Sequence, residues 1–339
     1  MLLHSPISPS HETPNHLWNQ SPGAFFHLGG KPVEDCPRPV WDSPKLAALK
    51  DFPRKLLGGL CRDGRALSGD TSTYIVTLSD DDIRNVEAAL NSFKTLGLEP
   101  NMLGPATSPL STELGYRLRA VSTILHECTG FAVLRGLDSK RYSDDDNLII
   151  FAGPVSWIGS ERATNPLGMS TEHIRDAVLD GKPEGVDNSE LDPAKQPHMM
   201  NFHAERFMAD ILALHVRKKA VSGGEQYIAS FPIIYNELME TDPEVLGILA
   251  KDWDWPPPPE DIHSDPIKGP IIFSNGERVI AQLVWAPFVE NPVYMTPERE
   301  RALTAVNELA KKLCVKLDSQ VGDIQLFNNL AMIHARNGF

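Results

Sequence analysis

The chain has 339 residues, of which 41% are hydrophobic and 23% are charged, and its formal net charge at pH 7 is −13. This composition is typical of a globular protein, and the length allows one large domain or two ordinary ones. The acidic balance argues against nucleic acid or an anionic membrane surface as a partner, because both attract clustered lysine and arginine.

The N-terminus and the cysteines favour a cytoplasmic location. The first residues lack the charged start and the long apolar stretch of a signal peptide, and the most apolar run, Leu148–Gly159, contains Pro154 and is too short to cross a bilayer. The cysteines form no C-x-x-C pair, so we interpret them as reduced thiols: Cys36, Cys61, Cys128 and Cys314. We expect a small-molecule substrate as the partner, and the composition leaves the oligomeric state open.

The predicted elements begin after an N-terminal tail. Residues 1–45 are rich in proline, histidine, serine and asparagine and show no sustained periodicity, which predicts a mobile tail or a strap laid over the surface. Residues 46–339 are then expected to form a single domain. Its first part, residues 46–169, is predicted to be mainly helical.

Serine residues stand at the predicted starts of the helices in this part. A strand over residues 73–78 is followed by three predicted helices. Ser79 and Ser143 are predicted to cap the first and the third, because serine is a favoured N-cap, and the second is predicted to run from about Ser111 to Thr129. Gly97 and Gly130 are predicted to end the first two helices. A short buried strand is predicted over Phe131–Leu134, between the second and third helices.

The predicted secondary structure changes near residue 170, where short strands with intervening turns begin. The predicted strands cover residues 173–177, 200–205, 211–216, 225–230, 270–273, 279–285 and 324–327. Inserted helices are predicted after Ser230, from Thr241 and from Thr296. Helices first and many short strands afterwards favour a mainly β fold with flanking helices, a jelly roll whose core spans residues 170–339. A doubly wound α/β sheet fits worse, because strands and helices do not alternate regularly.

One segment stands apart in composition. Trp253–Pro259 reads WDWPPPP, and its four prolines favour polyproline II and oppose a central strand. A partner-binding or lid segment is one interpretation, and a stiff surface connection is the simpler one.

The most informative residues are two histidines and a glutamate. His203 and Glu205 are two positions apart, so on a strand they share one face. His334, from a distant strand, would complete three ligands on one metal. Two imidazoles and one carboxylate with open positions opposite are the arrangement of non-haem Fe(II) oxygenases. The spacing alone is common, and the same ligands would also suit a Zn²⁺-dependent hydrolase, so this alternative stays open.

The surrounding motifs are more specific than the three ligands. In chain order they are Arg206–Leu214, the pair Gly223-Gly224 with Gln226, then Ala229-Ser230, Tyr235–Leu238, Gly322–Asn329 and Ile333–Arg336. In this order they resemble the taurine dioxygenase and clavaminate synthase-like family of Fe(II)/2-oxoglutarate oxygenases, in the form common in fungi. The resemblance covers roughly residues 50–339.

The resemblance implies a fold, cofactors and an activity. It implies a double-stranded β-helix core, Fe(II) held by His203, Glu205 and His334, and 2-oxoglutarate bound bidentate to that iron. Gln226 matches the family position of a polar residue that hydrogen-bonds 2-oxoglutarate. With dioxygen, such enzymes convert 2-oxoglutarate to succinate and oxidise an unactivated C–H bond by hydroxylation, desaturation or cyclisation.

Two departures from the family pattern shape the expected details. The commoner pattern has aspartate at the position of Glu205, and the glutamate variant resembles clavaminate synthase and some amino-acid hydroxylases. We therefore expect an amino acid or an amino-acid-derived metabolite as substrate, and Arg175 is a candidate for binding its carboxylate.

The second departure concerns the arginine that binds 2-oxoglutarate beyond the distal histidine in the family. Here the chain ends at Phe339, and the only nearby candidate is Arg336, two residues after His334. We expect a chain truncated at its C-terminus, with Arg336 as the alternative cation. A catalytically weakened or inactive member acting as a binding protein is the rival function.

The other histidines carry no expected role in catalysis. His173, His198, His215 and His263 are interpreted as solvated or core histidines.

Overall fold

A computed structural model describes residues 49–339 except 164–169, 180–181, 183–184, 186, 189–190, 192, 207–208, 257–264 and 275. The tail predicted over residues 1–45 lies outside the described residues. Among these, the strands are β1 (Ile75–Thr77), β2 (Phe131–Arg135), β3 (Met200–His203), β4 (Ile211–His215), β5 (Gln226–Ser230), β6 (Trp253–Trp255), β7 (Ile267–Gly269), β8 (Ile272–Ser274), β9 (Val279–Ala281), β10 (Val315–Lys316), β11 (Ile324–Asn328) and β12 (Met332–Arg336).

Helices flank these strands on both sides of the molecule. The α-helices are α1 (Asp80–Leu96), α2 (Thr112–Glu127), α3 (Asp144–Ser156), α4 (Phe231–Thr241), α5 (Pro243–Leu249), α6 (Ala286–Glu290) and α7 (Pro297–Leu313). Short 3-10 turns cover Gly64–Leu67, Thr71–Thr73, Pro100–Met102, Ser139–Arg141, Pro193–Lys195 and Pro292–Tyr294. Within the described part of the chain, no helix is both long and apolar enough to cross a membrane.

Two four-stranded sheets form the core. The first has the strand order β1-β2-β11-β4 and the second has the order β10-β5-β12-β3. Apolar side chains from both sheets meet between them, including Phe131 and Phe327 from the first and Ile228 and Met332 from the second. This is the mainly β, double-stranded β-helix fold that we predicted from the sequence.

The first sheet departs from the prediction in one respect. We expected residues from about 170 onward to supply the core strands, but β1 and β2 come from the preceding part of the chain. β1 runs parallel to β2, and β2 pairs antiparallel with β11. The sheet core therefore draws on both parts of the predicted domain, because β11 needs a hydrogen-bonded neighbour on each side and the later strands supply only β4.

The outer faces of both sheets are covered by helices. Along β11 the side chains alternate: Phe327 points between the sheets, whereas Ile324 and Leu326 pack against α1, α2 and α3. On the second sheet, Ile333 and Ala335 of β12 face the opposite way and pack with α4, α5 and α7. His334, which lies between these two residues, therefore points into the space between the sheets.

The helix starts follow the serine signals. The hydroxyls of Ser79, Ser111 and Ser143 accept hydrogen bonds from the backbone N–H groups of Asp82, Leu114 and Asp146, at 3.2, 3.3 and 3.1 Å. The caps predicted at Ser79 and Ser143 are confirmed, and Ser230 likewise caps α4, which follows it as predicted. Gly97 ends α1 with φ = 61°, a left-handed conformation that favours glycine.

Two local predictions were wrong. Residues 173–177 are not a strand: Arg175 and Ala177 donate backbone hydrogen bonds to Ala194 and Lys195, and no ladder between described residues continues from them. The start of the proline-rich segment is not a surface connection either. Trp253 and Trp255 are buried and form β6, which pairs with β7. The following residues 257–264 lie outside the described part of the chain.

Candidate metal centre

His203, Glu205 and His334 converge on one point between the sheets. His203 on β3 and His334 on β12 are direct cross-strand partners, and their ring centroids are 4.2 Å apart. One carboxylate oxygen of Glu205 lies 3.6 Å from Nε2 of His203 and 3.5 Å from Nε2 of His334. One ligand atom from each residue lies within 4.8 Å of the others. The structure therefore brings together the three residues that the sequence singled out.

Glu205 reaches this point from outside the strand. We predicted a strand over residues 200–205, but β3 ends at His203, because the N–H of Ala204 donates to the carbonyl of Leu283 at 2.6 Å instead of to a strand neighbour. The backbone of Glu205 is held by the side chain of Asn329, to which its N–H donates at 2.7 Å. Sequence reasoning placed Glu205 on the correct face but did not identify Asn329.

The two imidazoles are oriented for metal binding. Nδ1 of His203 donates to the carbonyl of Asn201 at 2.7 Å, which leaves Nε2 as the ring nitrogen that faces Glu205. The ring of His334 stacks on Phe327, with centroids 5.8 Å apart and planes at 4°. Its Nε2 is buried and has no hydrogen-bond partner among the described residues. A metal ion would satisfy that buried nitrogen.

The charges of the cluster favour a bound cation. Burial alone would raise the pKa of Glu205, but the two facing imidazoles outweigh it and hold this pKa well below its usual range. Burial lowers the pKa of His334, and the neighbouring His203 lowers it further. Burial alone would lower the pKa of His203, but the Glu205 carboxylate outweighs it and raises this pKa. A carboxylate that faces two imidazoles is a donor set that Fe(II) and Zn²⁺ both accept. The residues present fit a divalent metal.

Gln226 and Arg336 lie beside each other on the same wall. They are cross-strand partners on β5 and β12, and Arg336 shares its strand face with His334. The hydroxyl of Ser319 donates to Oε1 of Gln226 at 3.0 Å and accepts from Nε2 of Gln325 at 2.8 Å. The amide nitrogen of Gln226 is thereby left as the donor toward the cleft. Ser319 and Gln325 were not expected from the sequence.

Arg336 is held by backbone and aromatic groups. Its Nη2 donates to the carbonyls of Gln196 and His198, both at 2.9 Å, and its guanidinium carbon lies 4.6 Å from the ring centroid of Phe339. Burial lowers the pKa of Arg336. Its Nε is buried without a partner among the described residues, so this side chain retains donor capacity for a carboxylate.

Arg175 lines the same cleft but does not touch the three ligands in any contact described for it. It is buried, and its backbone N–H donates to the carbonyl of Ala194 at 3.2 Å. Its charge, together with those of Lys195 and Arg217, adds to burial in lowering the pKa of His173 to about 4. Arg175 therefore lies near two other cations, Lys195 and Arg217, which are paired with Glu172 and Asp144.

The cleft itself is large and open to substrate. Its volume is about 3190 Å³, and its lining includes His203, Glu205, His334, Gln226 and Arg336. Trp285 and Met199 contribute apolar surface to the same cleft. Such a site can hold a metal with open positions, bind a dicarboxylate next to it and admit a further small molecule.

Comparisons with known proteins agree with this arrangement. The family model for "Taurine catabolism dioxygenase TauD, TfdA family" matches residues 97–339. A taurine hydroxylase-like protein, SAT17, from Stachybotrys chartarum is 34% identical over 301 residues, which is 84% of this chain and 76% of that protein.

Solved structures show the same fold at low sequence identity. An asparagine oxygenase in complex with Fe(II), 2S,3S-3-hydroxyasparagine and succinate has a TM-score of 0.59 at 16% identity, covering 78% of this chain and 88% of its own. The non-heme iron oxygenase OrfP in complex with Fe, succinate and (3S)-hydroxy-L-Arg has a TM-score of 0.53 at 16% identity, again covering 78% and 88%.

Proposed function

This chain belongs to the taurine catabolism dioxygenase TauD, TfdA family, whose members are Fe(II)/2-oxoglutarate-dependent dioxygenases, and from that membership we propose that it oxidises an unactivated C–H bond of an amino acid or an amino-acid-derived molecule. The observation that carries the proposal is the convergence of His203, Glu205 and His334 in an open cleft. Fe(II) and 2-oxoglutarate are the family's cofactors, with dioxygen as the oxidant.

We assign the metal to these three residues. The buried, unpartnered Nε2 of His334 supports the assignment, as does the hydrogen bond that fixes the ring of His203. Bound there, the metal together with 2-oxoglutarate and dioxygen supplies the oxidising chemistry. The chain supplies three ligands on one side, which leaves the opposite positions for cosubstrate and dioxygen.

Gln226 and Arg336 are the proposed partners of a 2-oxoglutarate carboxylate. They neighbour His334 on the same wall, and between them they offer an amide N–H and a guanidinium N–H. A buried carboxylate needs such donors, because an unpaired charge in a pocket is costly. In hydroxylation, 2-oxoglutarate loses CO₂ and becomes succinate while one oxygen atom enters the substrate C–H bond.

The substrate assignment rests on one cation and on relatives. Arg175 is a buried cation in the lining of the cleft, which suits the carboxylate of an amino acid. The structural relatives named above were solved with hydroxylated asparagine or hydroxylated arginine. Arg175 is the proposed substrate-carboxylate residue.

The test begins without oxygen. Wild-type protein is titrated with Fe(II) and then with 2-oxoglutarate, and the weak visible charge-transfer band of the chelate is recorded. Air and a panel of free amino acids are then added, and succinate is measured. We expect the band and substrate-stimulated succinate in wild type and neither in His203→Ala. Turnover with Zn²⁺ but not Fe(II) would support the hydrolase, and binding without turnover would support the binding-protein alternative.

Arg336 gives a separate test of cosubstrate binding. A hydrogen bond to a charged group contributes about 1.5–3 kcal/mol, so Arg336→Ala should raise the KM for 2-oxoglutarate by roughly 10- to 100-fold. Arg336→Lys keeps the positive charge but lacks the planar guanidinium, so its KM for 2-oxoglutarate should lie between those of wild type and Arg336→Ala. Lys219→Ala removes an exposed cation from the same cleft and serves as the control. An unchanged KM in Arg336→Ala would remove this residue from the proposal.

A further inference from the structure

The side chain of Asn329 forms hydrogen bonds with both the N–H and the carbonyl of Glu205, the proposed carboxylate ligand. Its Oδ1 accepts a hydrogen bond from the N–H of Glu205 at 2.7 Å, and its Nδ2 donates to the carbonyl of Glu205 at 2.7 Å. Nδ2 also donates to the carbonyl of Ala209 at 3.0 Å. The two asparagine–glutamate bonds join residues 124 positions apart.

The orientation of this amide is fixed by its partners. A backbone N–H can only donate and a backbone carbonyl can only accept, so the oxygen and nitrogen of Asn329 cannot exchange places without losing all three bonds. Asn329 is also buried, with 4% of its surface exposed, so water does not compete for these groups.

The hydrogen bonds from Asn329 hold the backbone of Glu205 at a position beyond the end of β3, where strand pairing no longer holds it. β3 ends at His203, and Glu205 therefore lacks the ladder hydrogen bonds that fix His203 and His334 in register. The side chain of Glu205 is also the most exposed of the three, at 34% against 11% for His203 and 18% for His334. Without the amide of Asn329, no other hydrogen bond described for the Glu205 backbone would fix its direction.

We propose that Asn329 is the positioning residue of the metal centre, holding the Glu205 carboxylate toward the two imidazoles by replacing the missing strand partner. The proposal rests on the proposed function, because it assumes that these three residues bind the metal. In the hydrogen bonds described for it, the side chain of Asn329 contacts the backbone of Glu205 and Ala209 and not the proposed ligand atoms. Asn329 lies in the turn between β11 and β12, and His334 follows it by five residues. The same short segment therefore carries His334 and orients Glu205.

The experiment measures affinity for Fe(II) alone, by anaerobic titration of the full chain. Loss of groups that orient metal ligands commonly weakens metal affinity by about 10- to 100-fold, and we expect Asn329→Ala to fall in this range. The matched control is Asn236→Ala. Asn236 makes the same pair of bonds to the backbone of Leu56, at 2.7 and 2.9 Å, and it is likewise buried. Both variants should unfold at lower urea, but only Asn329→Ala should bind Fe(II) more weakly.

A double-mutant cycle shows whether the effect passes through Glu205. If it does, adding Asn329→Ala to Glu205→Ala should weaken Fe(II) binding no further than Glu205→Ala alone. An additional loss as large as that in the wild-type background would overturn the proposal. So would equal Fe(II) affinity in Asn329→Ala and wild type.

A second variant covers a failure to fold. Asn329→Asp has the same shape and still accepts from the N–H of Glu205, but it cannot donate to either carbonyl, so the same weakened binding is expected. If both Asn329 variants fail to fold while Asn236→Ala folds, Asn329 is a determinant of folding and the proposal fails. If wild type itself binds no Fe(II), the proposed function fails. If wild type binds Fe(II) and Asn329→Ala binds it equally well, only the proposal for Asn329 fails.

Discussion

The histidines differ in what surrounds each ring. His203 and His334 face a carboxylate, whereas His215 stacks on Phe151, with centroids 5.6 Å apart, on the outer face of the first sheet. Burial lowers the pKa of His215 to about 4, and the nearby charge of Arg217 contributes. The sequence left His215 open between a solvated and a core histidine, and its stacking on Phe151 agrees with the second. The structure adds that its ring is neutral in the folded protein at pH 7.

His215 should make stability depend on pH. Its pKa is about 6.5 when unfolded and about 4 when folded, so the unfolded chain binds more protons between these values. The contribution is present above pH 6.5 and is lost as the pH falls toward 4. For one such histidine the loss from pH 7 to pH 5 is about 1–2 kcal/mol.

The comparison uses metal-free protein and urea unfolding at pH 7 and pH 5. We expect His215→Gln to lose less stability than wild type over this interval, with the exposed His198→Gln as the control for replacing an imidazole. Equal losses in wild type and His215→Gln would contradict the burial argument.

At the scale of elements, helix starts were predictable and strand ends were not. A helix start depends on one side chain and the next turn, so Ser79 and its neighbours predict it locally. The end of β3 depends on Leu283, which takes the N–H of Ala204 out of the ladder. The segment over residues 173–177 has strand-like residues, but none of the described strands pairs with it. Tertiary contacts therefore decided both outcomes.

The cap of α1 offers a test at this scale. Ser79 and Asp82 form a reciprocal capping box, in which the carboxylate of Asp82 also accepts from Arg117 at 2.8 Å. We expect Ser79→Ala to lower the free energy of unfolding by about 1 kcal/mol, because two backbone N–H groups at the helix start depend on this pair. Ser79→Thr keeps a capping hydroxyl and should lose far less. Urea unfolding measures both, and an unaltered midpoint in Ser79→Ala would refute the assignment.

In the whole molecule, each of the two sheets joins strands that are far apart in the sequence. The first sheet joins β1 to β4 through β2 and β11, so its parts cannot be separated at residue 170. The second sheet packs against Phe52 and Leu56, which precede the first strand. We therefore propose one oxygenase domain from residue 46 onward.

A deletion tests this domain proposal. All twelve described strands lie after residue 48, and Phe52 packs into the core that follows it, so a chain lacking residues 1–20 should fold with nearly unchanged urea midpoint and Fe(II) affinity. A deletion extended through Phe52 and Leu56 should destabilise the protein, because both side chains are buried in the core. Loss of folding on removing residues 1–20 alone would refute the proposed boundary.

The sequence by itself determined the features that depend on neighbouring residues or on ordered motifs. These are the serine caps, the alternation that turns His334 inward, the choice of His203, Glu205 and His334 as candidate metal ligands, and the family. Tertiary structure alone decided which side chain replaces the missing strand partner of Glu205, which carbonyls hold Arg336 and which early strands complete the first sheet. The physical reason is that each of these depends on register between segments far apart in the chain, whereas local pattern reports only periodicity and turns.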